Sequence, residues 1–120
     1  MTSTLRLHAL FENSNWQQTL RWEPLFPRVE IHRLYESGPA GPRAALLRFH
    51  PGGRVPLHEH VGFEHIVVLE GEQSDDHGTA AKGAVIVNPP GTRHRVLSET
   101  GCIVLAIYEK PVKFVDDAPC

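Results

Sequence analysis

The sequence predicts an all-β fold, a small barrel of short strands. Ten glycines and ten prolines in 120 residues punctuate the chain with turns. Between them, short apolar and β-branched runs recur about every ten residues, the pattern of a sandwich or barrel. A third count bears on function: eight histidines in so short a chain point to a metal or proton-transfer site.

The elements follow in order. Glu12 to Leu20 carries the one helical signal, enough for a turn or two capped by Asn13 or Ser14. Pro24 and Pro27 then break the chain. Val29 to Tyr35 mixes β-branched and polar positions as a strand does, and Ser37 to Pro42 reads as a loop. Ala44 to Phe49 is the next strand, stopped by Pro51-Gly52-Gly53, and Phe63 to Glu70 another, closed at Gly71. Asp75-Asp76-His77-Gly78 is a turn, Ala84 to Val87 a buried strand, and Asn88-Pro89-Pro90-Gly91 a tight turn. Arg93 to Leu97 and Cys102 to Tyr108 complete the set. Gly52, Gly71 and Gly91 stand where turns call for positive φ.

Length and composition bound the function. The chain reads as one domain, residues 1–120, with an N-terminal arm to about 22, a barrel over about 23–110 and a tail over about 111–120. Apolar residues at 41% and charged residues at 22% are globular proportions. A formal net charge of −2 excludes a strongly basic nucleic-acid binder. No apolar run approaches the roughly 18 residues of a membrane helix. Arg6 and His8 interrupt the N-terminus, so no secretory leader is expected. Cys102 and Cys120 have neither metal-type nor redox-type spacing, which makes a reducing cytoplasm the expected location.

The chemistry concentrates between Gly52 and His94. His58 and His60 are two apart, so a strand puts both imidazoles on one face. Glu64 follows at another even offset, with Gly62 a point where the strand can bulge. Once pairing resumes, Glu64, Ile66 and Val68 point the same way. His94 follows the Pro89-Pro90-Gly91 turn and enters from a neighbouring strand. Three imidazoles and a carboxylate suit Zn, Fe, Ni, Cu or Mn and leave coordination positions open for a small molecule.

These residues resemble the two motifs of the cupin superfamily. The first runs Gly52, five residues, His58-Glu59-His60, three residues, Glu64, six residues, Gly71. The second runs Gly83, five residues, Pro89, one residue, Gly91, two residues, His94. Ser98 stands where the family often has Asn. Pro42 to Phe49, Val67 to Gly71, Asn88 to Gly91 and the 75–78 turn are similar to the ChrR-type cupins, a group that includes a zinc-binding anti-sigma domain and is similar to small diketone-cleaving dioxygenases. The resemblance implies the double-stranded β-helix, or jelly roll, with His58, His60, Glu64 and His94 as metal ligands, Glu64 being either the fourth ligand or a base or hydrogen-bond partner beside the metal. It also implies iron or zinc as first candidates. The sigma-holding helical domain of the anti-sigma members has no counterpart in 120 residues, so that role is not expected to transfer.

The other histidines take plainer readings. His8, His32, His50 and His77 fall at strand edges or turns and most are expected in solvent, and His65, next to Glu64, faces outward. Ile66, Val68 and Val96 are expected to make an apolar inner wall, with Arg48 and Tyr108 as polar contacts only if their strands present them inward. Cys102 opens an apolar run and reads as a buried small residue. Val67 and Leu69 make the outer face apolar too; the second sheet's edge, the N-terminal segment or a second subunit could cover it, and a homodimer is the favoured cover. The leading reading is a metal-binding cupin acting on or binding a small organic molecule; were the metal iron(II), the resemblance implies dioxygenase cleavage of a small substrate such as a β-dicarbonyl. The alternative is a non-enzymatic zinc-binding sensor module. A metal-free sugar isomerase is disfavoured because all four ligand positions are filled.

Overall fold

A computed structural model describes residues 3–12 and 15–115. Ten strands follow one short 3-10 helix: β1 Glu23–Phe26, β2 Val29–Glu36, β3 Arg43–Phe49, β4 Gly53–Glu59, β5 Glu64–Asp75, β6 Gly78–Ala81, β7 Val85–Asn88, β8 Arg93–Ser98, β9 Cys102–Tyr108 and β10 Lys113–Phe114. Every pairing is antiparallel. One layer runs β1-β2-β3-β9-β5-β7 and the other β10-β4-β8-β5-β6, with β5 common to both. The predicted all-β jelly roll is what the chain forms.

The turn of β5 from one layer into the other has a local cause. Its first half, from Glu64, pairs with β9 and β7, and its last residues pair with β6 and β8. A bulge lies between Val68 and Glu70. Gly71 follows at φ 72°, and a Cβ there would sit 2.1 Å from the carbonyl oxygen of Gly101. Only glycine fits that close crossing.

Two apolar clusters stabilise the layers. Between them lie Val29, Phe49, Ile66, Val68, Val96, Cys102, Val104 and Ala106. On the outside of the first layer, Leu46, Leu69 and Ile103 are covered by Trp16, with Leu7, Leu10 and Leu20 beside it. The cover over Val67 and Leu69 is thus this chain's own N-terminal segment. Alternation along β5 does this: Ile66 and Val68 face in, while Val67 and Leu69 face the segment.

Several elements differ from expectation. The helical signal becomes a single 3-10 helix, Asn15–Thr19, and the caps Asn13 and Ser14 lie outside the described residues, as does Cys120. β1, β6 and β10 are additional strands, short and poor in β-branched residues, which is why periodicity does not reveal them. The stretch after Gly53 also forms a full strand, β4, in which a bulge between Val55 and His58 accommodates Pro56. Ala84 to Val87 is not a buried strand. β7 pairs with β5 alone, and Val85 and Val87 are 61% and 49% exposed, with Ile107 and His65 on the same outer surface.

Candidate metal centre

The centre is built where β4 ends, β5 begins and β8 begins. His58 is on β4 and pairs directly across from His94 on β8. His60 lies just past the end of β4, and its backbone is held by the amide of Gly91 and the carbonyl of Thr92. The chain then turns at Gly62, where a Cβ would meet the Cβ of Glu109 at 2.9 Å, and Glu64 opens β5. So Glu64 is not a continuation of the histidine strand but the first residue of the next one.

All four predicted residues meet. Their ligand atoms lie within 4.8 Å of one another, and all four side chains are buried. The three imidazole centroids are 4.6 to 5.1 Å apart.

The protonation pattern follows from the acceptors behind each ring. His58 Nδ1 is 2.8 Å from the carbonyl oxygen of Pro56, which can only accept, so Nδ1 carries the hydrogen. His60 Nδ1 lies 2.9 Å from Thr92 Oγ1 and 3.1 Å from the Thr92 carbonyl. The Thr92 hydroxyl donates to Pro89 O at 2.6 Å, so it too accepts from His60. His94 Nδ1 donates to Asp75 Oδ2 at 2.9 Å. Each neutral imidazole therefore presents a bare Nε2 lone pair. His60 Nε2 is 2.9 Å from Glu64 Oε1, yet it is buried and has no hydrogen-bond partner. Two lone pairs facing each other at that distance repel unless a cation lies between them. The donor set fits a divalent metal and can hold one.

Burial and neighbours tune the groups. Burial, the largest influence, pushes the His58 pKa below its ordinary value, and the nearby His94 adds to this against the Pro56 hydrogen bond. Burial pushes the Asp75 carboxyl up, but bonds from His94 and the His77 amide outweigh it, and the net shift is down. Glu64 Oε1 also accepts from Asn88 Nδ2 at 3.1 Å. Cys102 is buried and its pKa is raised to about 11, so it is a packed thiol and not a nucleophile.

Beside the group lies a cavity of about 70 Å³, bordered by Leu25, Phe49, Ile66, Gln73, Val96 and Tyr108 together with His58, Glu64 and His94. Phe114 closes over it, its ring 5.8 Å from His58 and 5.7 Å from Phe26. Tyr108 thus faces inward, and burial beside Glu64 raises its pKa. Arg48 does not: its guanidinium lies 4.4 Å above Trp22 and bonds Glu30 and Gln17. A larger cleft of about 720 Å³ touches Asp75 but none of the four candidate ligands, so the cavity that opens onto them is the small one. Sequence reasoning missed Asp75, Asn88, Thr92 and Phe114. Asp75 and Asn88 each sat in a run read as a turn, a use that gives no sign of a second role.

Comparison with known proteins agrees with this architecture. The ChrR Cupin-like domain family matches residues 15–112. An RmlC-like cupin from Ralstonia eutropha is 23% identical over 81% of this chain and 68% of its own, with a TM-score of 0.73. A chain from the complex of Rhodobacter sphaeroides SigE with the anti-sigma ChrR is 29% identical over 77% of this chain, with a TM-score of 0.68, and only 50% of that chain is spanned. A putative acetylacetone dioxygenase from Methylibium petroleiphilum is 18% identical, covers 100% of this chain and 90% of its own, and has a TM-score of 0.77. No curated protein matches. Among the described residues, no helix is long and apolar enough to cross a membrane.

Proposed function

The chain belongs to the ChrR cupin-like family, and from that premise we propose that it is a metal-binding cupin acting on a small organic molecule. His58, His60, Glu64 and His94 hold a divalent transition metal, with iron and zinc the first candidates. The observation that carries this is the convergence of four buried ligand atoms within 4.8 Å, three of them bare imidazole nitrogens.

A bound divalent metal supplies Lewis acidity and, where it is iron(II), one-electron chemistry toward dioxygen. The protein's own part is legible in its residues. Pro56, Thr92 and Asp75 hold the three imidazoles in one tautomer. Asn88 fixes Oε1 of Glu64 and leaves its other oxygen able to take a proton from a bound molecule. Leu25, Phe49, Ile66 and Val96 make the apolar wall that excludes water, and Phe26 and Phe114 pack over it. A cavity of about 70 Å³ admits a molecule of only a few heavy atoms, in keeping with a small β-dicarbonyl.

A second reading has its own support. The 29% identity to a chain of the SigE–ChrR complex favours a zinc-binding sensor that takes a small ligand and signals to a partner. Elemental analysis followed by dioxygen uptake separates the two. The enzyme reading expects iron-loaded protein to consume dioxygen with a member of a panel of small diketones. Zinc as purified, with no uptake by the iron form, selects the sensor. Protein with no stoichiometric metal after incubation with either ion overturns both.

A further inference from the structure

We infer that Asp75 is a positioning residue for the metal centre, the one anionic support behind its three imidazoles among the described residues. The inference rests on the metal-binding reading and extends it to a residue outside the ligand set. His58 and His60 donate their Nδ1 hydrogens to neutral oxygens of Pro56 and Thr92. Among the described residues, only His94 donates its Nδ1 hydrogen to a carboxylate, Asp75 Oδ2 at 2.9 Å, with both side chains largely buried.

The carboxylate is itself immobilised. Its other oxygen accepts the backbone amides of His77 at 2.8 Å and Gly78 at 3.1 Å. The β5–β6 turn therefore serves two ends: it closes the hairpin and aims one carboxylate oxygen at His94. β8 pairs with the end of β5 at Asp75 and Val96, which sets His94 beside it. An anionic acceptor pulls the Nδ1 hydrogen, raises electron density at Nε2 and makes His94 the strongest imidazole donor of the three. It also excludes the opposite tautomer, in which Nε2 would carry the hydrogen and could not bind metal.

The test loads the full chain with cobalt(II) and records proton NMR beside chelator competition. Ligation through Nε2 leaves an Nδ1 hydrogen on each ring as a paramagnetically shifted, solvent-exchangeable signal, so the wild type is expected to show one such signal per histidine. Asp75→Ala should lose the His94 signal to exchange. Asp75→Asn has one oxygen in place of two, so with that oxygen held by the turn amides its NH2 group faces the His94 Nδ1 hydrogen; the His94 signal should shift and the cobalt affinity fall roughly tenfold to hundredfold. An Asp75→Asn protein with wild-type affinity and an unshifted His94 signal overturns the assignment, as does an Asp75→Ala protein that keeps all its exchangeable signals. A wild type that binds no cobalt refutes the metal reading itself, before any variant is compared.

Discussion

His60 concentrates the argument for a cation. It is 1% exposed, its Nδ1 hydrogen is committed to Thr92, and its bare Nε2 faces a carboxylate oxygen at 2.9 Å. A metal ion between the two relieves that repulsion. For the metal-free protein, burial sets the folded pKa of His58 below the ordinary value of 6.5. The unfolded chain then takes up the proton first as pH falls. The stability owed to neutral His58 is complete above pH 6.5 and declines below it toward the folded pKa. Metal is released over the same direction of change, since protons compete for the same nitrogens. Denaturation midpoints of the metal-free protein should fall between about pH 7.5 and 5.5, and less so in His58→Gln. A midpoint that rises on acidification would contradict the buried neutral imidazole.

At the scale of elements, β5 decides the architecture. Twelve residues long, it supplies Glu64 at one end and Asp75 at the other and bends between the layers at Gly71. Gly71→Ala should therefore cost about 2 kcal/mol or more, from left-handed strain and the Gly101 carbonyl together. Gly91, with φ 90° and open space around it, should cost less on the same change. Urea unfolding of both variants measures the difference. The strands carrying apolar alternation or a continuous apolar run, β2, β3, β5, β8 and β9, are legible from sequence because packing needs those patterns. β6 and β10 are not, because ladder pairing alone forms them. The four ligands are legible through their spacing, which the register of β4 against β8 requires. Asp75 and Asn88 are not, because a short polar residue in a turn looks the same whether or not it also holds a ligand. β7 misleads for a related reason: its valines satisfy a strand pattern equally well facing solvent.

At the scale of the molecule, the four ligands tie the two layers together. His58 and His94 belong to β4 and β8 of the second layer, while Glu64 sits in the half of β5 that pairs with β9 and β7 in the first. His58 also packs against Phe114 of β10, the last described strand. A metal bound there joins segments far apart in sequence that the unfolded chain cannot hold together. Its binding energy is therefore folding energy. At a free metal concentration about 100 times the dissociation constant, the gain is roughly 2.7 kcal/mol. For a domain near 100 residues each kcal/mol moves the melting temperature by about 4 °C, so loading should raise it by roughly 10 °C. Adding chelator should reverse the rise. The apolar cluster of Val29, Phe49, Ile66, Val68, Val96, Cys102, Val104 and Ala106 packs without the histidines, so His58→Ala with His60→Ala should still fold. That variant should melt at one temperature with or without metal, and a metal-dependent rise persisting in it would place the ion elsewhere.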